Sequence, residues 1–565
     1  MAMFTGLTLT VALAGLGRLD PRIEVVRVIP WFWFHRDDEQ VRRWLLIGAG
    51  TSGSILALLA AGTTRRRGAG LHGAARWATA GEIAQAGLRG SDGVILGSHG
   101  GRLLRSGGDE HVLVCAPTRS GKSAGIVIPT LLSWAGPVVV LDVKKEVFEA
   151  TAGWRASIGQ VVFLFDPLQA EGRTARFNPL GVVDREDMAA AYDAIHRVAG
   201  LLFPDQAKGD PFWTEAARSA FIAVTLYVAQ SPSLPLTLGE IARQFTAGDL
   251  ADRLTRSAES RRGGPSALNP VTERLIADFC RTSENTFAAI RQSVSTRLAL
   301  WLNPRVDAAT SKSDFTLSAL RSRPMALYLA AAPSDLERVA PLYALLVQQL
   351  LESAGRSLPS SGDDKRLLVV LDEFASLGRA PMLARSFSWV AGYGVRLVCV
   401  VQTLSQLRAR YGEDAAEITA NCAVQAYFAP ATIQDARELS ETLGTYGHGS
   451  ISRSKPSGLS SGRRSETHAE QRRPLLLPHE LLTLDRETII VAPRGRAPVR
   501  GKRLLWAKAR AFSSRWRPPP PVPPRKLVED GPVEAAALHR PSPGNVDLAM
   551  ERMSAGRDLF GEARR

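Results

Sequence analysis

Ala116-Pro-Thr-Arg-Ser-Gly-Lys-Ser123 is the stretch on which the fold turns. Ahead of it, Val112-Leu-Val-Cys115 is a short apolar run of the kind that forms a buried strand. Behind it, Ala124-Gly-Ile-Val-Ile-Pro-Thr-Leu-Leu132 can open as a helix. A strand, a small-residue loop ending in Gly-Lys-Ser and then a helix is the context a phosphate-binding loop requires. Successive N–H groups of such a loop and of the helix start point at phosphate oxygens. Lys122 then reaches the β/γ oxygens of ATP, and the Ser123 hydroxyl ligates Mg²⁺. Pro117, Thr118, Arg119, Ser120 and Gly121 complete the candidate nucleotide-binding set. Ala116 stands where a first glycine is usual, and if that position needs positive φ, alanine costs about 1–2 kcal/mol there.

The partner of this loop lies about 250 residues downstream, in Arg366-Leu-Leu-Val-Val-Leu-Asp372-Glu373-Phe374. Five apolar residues place Asp372 and Glu373 at the tip of a buried strand, the Walker B pattern. Asp372 would support Mg²⁺, together with Ser123, and Glu373 would polarise the attacking water. An apolar run ending in Asp-Glu is common in isolation and gains meaning only beside a phosphate loop. The next apolar strand, Val395-Arg-Leu-Val-Cys-Val-Val401, ends in Gln402, placed to sense a γ-phosphate. A hydrogen-bonded polar residue at a strand end reads the same way.

Further apolar runs, Pro137–Asp142, Gln160–Asp166, Met325–Ala330 and Ala423–Phe428, several closed by polar residues, predict a parallel sheet with its working edge at the strand C-termini. Between about Val183 and Leu320 no β-branched run occurs. Met188–Leu202, Trp213–Val228 and Ser283–Leu302 read with helical period, as an all-helical insertion. Upstream, Met1–Gly17 and the 21 residues Trp44–Thr64 lack charge, and the second run is long enough to span a bilayer. They predict a helical hairpin in the membrane, with small-residue spacing at Ala49/Gly53 and Gly50/Ser54. Gly447–Arg473 is rich in Gly, Ser and Arg without apolar period and predicts a mobile loop. Pro518–Pro524 predicts a semi-rigid linker into a poorly ordered tail.

Across its 565 residues the chain carries a net charge of +15, and Gly447–Lys526 alone holds 18 Lys/Arg against 5 Asp/Glu. That excess points to a polyanionic partner, nucleic acid or an anionic membrane surface, or else to a solvated basic tail. The four cysteines have no paired spacing, which speaks against a disulfide framework or a zinc site.

Taken together, the chain resembles the type IV secretion coupling proteins, the TraG-like conjugal transfer ATPases. The resemblance is carried by the two N-terminal runs, Leu71-His-Gly-Ala-Ala-Arg-Trp77, Pro117–Ser123, Asp142-x-Lys144-x-Glu146 and Asp210-Pro-Phe-Trp213. It continues through Leu371-Asp-Glu-Phe374, Gln402-x-x-x-Gln406 with Tyr411-Gly412, and Arg472-Arg-Pro-Leu475. Ala116 and Lys145 depart from the family pattern, both at positions where glycine is common. The resemblance implies an α/β fold: a RecA-like P-loop NTPase domain with an inserted all-α domain, behind a two-helix transmembrane hairpin. The corresponding boundaries are 1–67 for the hairpin, 68–182 and 321–515 for the two parts of the nucleotide-binding domain, 183–320 for the insertion and 516–565 for the tail. It further implies a homo-hexameric, inner-membrane ATPase using ATP and Mg²⁺. Such a protein passes sequence-independently bound, single-stranded DNA with its relaxase, or effector proteins, to the secretion channel. Arg385 and Arg396 are candidates, by position, for the arginine that such rings lend to a neighbour's site. Two other readings are a chromosome-partitioning translocase of the FtsK kind and a nucleotide-binding receptor that does not use hydrolysis as fuel.

Overall fold

The computed structural model describes residues 2–18, 25–65, 72–205, 210–356, 358, 366–378, 380–454 and 465–525. The chain forms two compact units, Met1–Ala75 with Gly444–Leu475, and Arg76–Leu443 with Leu476–Arg565.

The larger unit is built on an eleven-stranded sheet. Its strands are β1 (Val94–His99), β2 (Arg102–Ser106), β3 (Val112–Cys115), β4 (Val138–Val143), β5 (Val161–Phe165), β6 (Met325–Ala331), β7 (Leu367–Asp372), β8 (Val395–Val401) and β9 (Val424–Tyr427). In chain order there follow β10 (Thr445–Ser454) and β11 (Ser465–Pro474), which belong to the smaller unit, then β12 (Thr488–Pro493) and β13 (Val499–Lys502). The spatial order is β2-β1-β13-β12-β9-β3-β8-β7-β4-β6-β5. From β9 to β5 every pairing is parallel. Strands β6, β7 and β8 are buried along their whole length, as expected where helices cover both faces of a parallel sheet. The sheet is not parallel throughout, because β12, β13, β1 and β2 extend it antiparallel beyond β9. β1, β2 and β13 mix polar residues or glycine into their runs, so they leave little trace in the sequence.

Between β5 and β6 no strand is formed among the described residues, apart from an isolated bridge of Arg173 to Pro524, and the longest helix is Pro211–Ala229. Six of the starts are capped by the side chains of Asp187, Asp210, Thr237, Asn269, Ser283 and Asn303, which accept from N–H groups of the first turn. The Asp210-Pro-Phe-Trp motif is thus a helix start, with proline at the first helical position, where its missing N–H costs nothing.

The proline-rich segment does not run free at once. Arg525 N–H donates to the Gly172 carbonyl at 2.8 Å, and a Cβ on Gly153 would lie 2.3 Å from the carbonyls of Arg517 and Pro518. Residues 516–525 therefore pack on the sheet unit. The rest of the tail lies outside the described residues.

In the smaller unit, Ala2–Gly15 and Glu39–Arg65 are helices, with a third, Val25–Phe34, between them. No helix among the described residues is long and apolar enough to cross a membrane, so the expected spanning hairpin is not supported among them. Fourteen residues span only about 21 Å, short of a core of about 30 Å. The longer helix opens with Glu39, Arg42 and Arg43 and dilutes its apolar run with Gly, Thr and Ser. Close packing uses Gly15 and Gly48, not the Gly50 position. A Cβ on Gly15 would meet the Trp44 ring at 2.2 Å and one on Gly48 the Thr8 carbonyl at 2.5 Å, whereas Gly50 has open space.

Within the stretch read as a mobile loop, the described residues form two paired strands, while 455–464 lie outside the described residues. β10 and β11 pair antiparallel over ten residues each, from Thr445↔Pro474 to Ser454↔Ser465. The sequences of both strands hold few apolar residues, so no apolar alternation announces them. His72 and Gly73 of the Leu71–Trp77 motif close the hairpin's base. The Thr445 hydroxyl donates to the His72 carbonyl at 2.8 Å, and Gly73, at φ +103°, leaves no room for a Cβ beside the Thr445 carbonyl.

Candidate nucleotide-binding site

Four adjacent parallel strands, β3, β8, β7 and β4, bring their C-terminal ends to one edge of the sheet. The loop 116–123 leaves β3, Gln402 follows β8, Asp372 and Glu373 close β7, and Asp142 lies on β4. Strand order alone thus assembles groups separated by up to 280 positions. Ligands of open α/β sheets bind at this edge.

The side chains meet there. Ser123 Oγ donates to Asp372 Oδ2 at 2.7 Å. Lys122 Nζ lies 3.1 Å from Asp372 Oδ1 and donates to Glu373 Oε1. Gln402 Nε2 donates to Glu373 Oε2 at 3.0 Å, and the Gln402 N–H donates to Gln406 Oε1 at 3.3 Å. Burial presses the Lys122 ammonium down, but the Asp372 and Glu373 carboxylates outweigh it and hold its pKa above the ordinary lysine value. Lys122 is therefore a fixed cation with two carboxylates as present partners. A hydroxyl and a carboxylate oxygen in contact are a hard-oxygen donor pair, the set Mg²⁺ takes when water and phosphate complete its shell. Ser123 and Asp372 fit that ion.

Of the loop residues, Pro117 is half-buried and Thr118 and Arg119 are exposed on the turn, while Ser120 and Gly121 lead into the helical start. Ser123–Val127 is a π-helical turn, a distortion often found at functional sites. Ala116 is fully buried and is not among the residues with positive φ, so the missing first glycine carries no backbone cost.

Among the described residues, four non-glycine positions have positive φ: Arg119 (61°), Lys144 (88°), Lys145 (63°) and Glu373 (80°). All four follow strands at this edge, and strain of this kind gathers where a site over-determines the backbone. Asp142 does not face the nucleotide groups. It accepts from the N–H groups of Val147 (3.2 Å) and Phe148 (2.6 Å), capping the helix Glu146–Ser157, and burial pushes its carboxyl up to about 7. Lys145 forms an ion pair with the buried Asp166 at 2.6 Å.

Arg396 leaves the list of candidate arginine fingers. It is 1% exposed and spends its guanidinium on the Ser106 carbonyl and hydroxyl and the Glu110 carbonyl. Arg385 is exposed. Tyr411, of the Tyr-Gly motif, stacks on Phe374 with ring centroids 5.0 Å apart, so the helix that follows Gln402 leans on the turn that follows Glu373. The contact that motif spacing misses is Arg503, after β13, whose Nη1 donates to the Ser120 carbonyl at 2.5 Å.

Residues 76–526 match the family described as Type IV secretory system Conjugative DNA transfer. Protein VirD4 of Rhizobium rhizogenes is 32% identical over 524 residues, covering 90% of this chain and 74% of that protein. Conjugal transfer protein TraG of Escherichia coli is 30% identical over 549 residues, covering 86% and 84%. Among solved structures, plasmid coupling protein TrwB in complex with ADP and Mg²⁺ superposes with a TM-score of 0.57 at 18% identity, over 78% of this chain and 96% of that one. TrwB with the non-hydrolysable ATP analogue ADPNP gives the same score at 17% identity. At these identities the likeness concerns the α/β fold. The family match and the relatives' identity and extent are decisive: this chain belongs to the type IV secretory system conjugative DNA transfer family of coupling proteins.

Proposed function

We propose that this coupling protein hydrolyses ATP and uses the energy to deliver DNA, with its relaxase, or effector proteins, to the type IV secretion channel. One observation carries the hydrolytic part: Glu373 sits between Lys122 and Gln402, beside the Ser123–Asp372 pair. Lys122 and the loop 117–123 would hold the phosphates, and Ser123 and Asp372 would hold Mg²⁺, which when bound neutralises charge on the β/γ oxygens. When phosphate oxygens take Lys122, Glu373 loses its cation partner and is left as the acceptor for a proton of the attacking water. Gln402, bonded to Glu373, is placed to register loss of the γ-phosphate and to pass it to the helix Leu404–Tyr411 that it precedes.

The same reading includes sequence-independent DNA binding, contacts with relaxase and channel components, assembly as a homo-hexamer and a place at the bacterial inner membrane. It also takes the helices between β5 and β6 as a substrate-facing insertion. The uncharged runs of the smaller unit and its exposed Trp33 and Phe34 support membrane association through that unit. Full-length protein recovered in the soluble fraction without detergent would remove that part alone.

Two substitutions separate steps of the cycle. Lys122→Ala should lose ATP binding, whereas Glu373→Gln should bind ATP and hydrolyse it roughly 10²–10⁴-fold more slowly. Both should abolish transfer in cells that carry only the variant. Wild-type transfer with abolished turnover in Glu373→Gln would leave a receptor in place of a motor. A partitioning role of the FtsK kind is not favoured, because the relatives found are conjugal transfer proteins and VirD4.

A further inference from the structure

The segment that follows β13 crosses the phosphate-binding loop and is pinned at both ends. Arg503 N–H donates to the Glu487 carbonyl at 2.6 Å, and Trp506 N–H donates to the Ala124 carbonyl at 3.1 Å, on the helical start of the loop itself. Between these anchors Arg503 Nη1 donates to the Ser120 carbonyl at 2.5 Å. Two glycines leave the space that the crossing needs. A Cβ on Gly121 would lie 2.8 Å from Arg503 Nη1, and one on Gly125 would lie 2.9 Å from the Leu504 carbonyl and 3.2 Å from Arg503 Cγ. Arg503 Nε is buried without a hydrogen-bond partner, so the side chain holds this pose although one donor goes unused.

Peptide geometry gives the contact a consequence. A trans peptide is planar, and its C=O and N–H point in opposite directions. With the Ser120 carbonyl drawn to Arg503, the Gly121 N–H is turned the other way, away from Arg503, and N–H groups of such a loop are what receive phosphate oxygens. Gly121 has φ +84°, a region glycine enters and leaves freely, and the loop's own bonds, Ser120 N–H to the Pro117 carbonyl and Gly125 N–H to the Gly121 carbonyl, hold the neighbouring groups and not the Ser120 carbonyl itself. Rotated, it would offer a phosphate a carbonyl oxygen in place of a donor.

We propose that Arg503 is a positioning residue of the nucleotide site, holding the Ser120–Gly121 peptide with its N–H turned away from Arg503. It acts through that peptide and does not itself touch phosphate. The inference rests on the nucleotide-site reading above and adds to it a residue 383 positions away in sequence. The role would also account for glycine at two positions, 121 for both its φ and its neighbour, 125 for its neighbour alone.

The test measures MgADP affinity by calorimetry and steady-state ATP turnover on the full chain, for wild type, Arg503→Ala, Arg503→Lys, Arg503→Gln and Lys122→Ala. Arg503→Ala should weaken MgADP binding about tenfold and raise KM for ATP more than it lowers kcat. Arg503→Lys, which keeps a cationic donor, should recover most of the affinity, with Arg503→Gln between the two. If Arg503→Ala does not fold, the order wild type, Lys, Gln decides in the same way. Unchanged affinity in the Arg503 variants while Lys122→Ala loses it, or a loss that lysine does not restore, overturns the role and leaves a packing contact. A wild type that binds no MgADP would instead remove the nucleotide site itself, and this role with it.

Discussion

Lys145 shows how a single position records two opposed demands. Its φ of 63° and ψ of 13° are left-handed, which is why glycine suits the place and why lysine costs about 1–2 kcal/mol of backbone strain there. Its Nζ is also the ion partner of Asp166, whose carboxyl burial pushes up and the lysine pulls back. The two effects separate by substitution. Lys145→Ala keeps the strain and strips a buried carboxylate of its cation, so it should destabilise by about 2–4 kcal/mol. Lys145→Gly loses the same pair but relieves the backbone, and should be the milder variant by about 1 kcal/mol. Chemical denaturation of the two would check this, and alanine at or above the stability of glycine would refute the strain. None of this was legible in the sequence, where Lys145 showed only as a departure from pattern. Ala116, the other departure, proves harmless, because the loop puts its left-handed residues at Arg119 and Gly121 instead.

At the scale of elements, the strands that build the site were legible and those that flank it were not, for a physical reason. Strands covered on both faces are mainly apolar, so β3, β7 and β8, the last broken only by Arg396, read as runs whose ends deliver Lys122, Asp372, Glu373 and Gln402. Of the antiparallel strands, β2 and β13 and the hairpin β10–β11 mix polar residues into their runs, while β1 and β12 bury short apolar runs whose antiparallel pairing the sequence does not display. Contacts made through carbonyls are equally silent, Arg503 on Ser120 and Arg396 on Ser106 among them. His111, just before β3, belongs to this hidden class. The Leu397 N–H of β8 donates to its Nδ1 at 3.1 Å, and burial, with a smaller push from Arg396, lowers its pKa to about 4. Between about pH 6.5 and that value the unfolded chain takes a proton the native chain refuses. Stability should therefore fall as pH drops through this window, by up to about 1.4 kcal/mol per pH unit. His111→Gln should remove that part of the slope. Melting temperatures at pH 7.5 and 5 test it, and equal losses in both proteins would exclude His111 as the source.

For the molecule as a whole, the question is whether its net charge of +15 serves a polyanion or the fold. Part of the basic excess in 447–526 is spent internally. Arg503 holds the phosphate loop, Arg515 donates to the Leu132 carbonyl at 2.7 Å, and Arg525 pairs with Asp314 at 3.2 Å. Arg517 is exposed but donates to the Ser514 and Trp516 carbonyls, and the other exposed cations of this stretch among the described residues of the larger unit are seven: Arg486, Arg494, Arg496, Arg500, Lys502, Lys508 and Arg510. A coupling protein that moves DNA of any sequence needs contacts to the backbone and not to bases, and cations of this kind supply them. Each phosphate neutralised on a single strand releases about 0.7 of a counterion. If all seven engage, the slope of log affinity against log salt should approach about −5, with no sequence preference. Replacing Arg494 and Arg496 together by glutamine should make the slope shallower by about 1.4 and weaken all sequences alike. Binding of labelled oligonucleotides between 50 and 200 mM salt measures both quantities. An affinity indifferent to salt would assign these cations to the fold or to a protein partner, and strong preference for one duplex sequence would require base contacts that this set of cations does not explain.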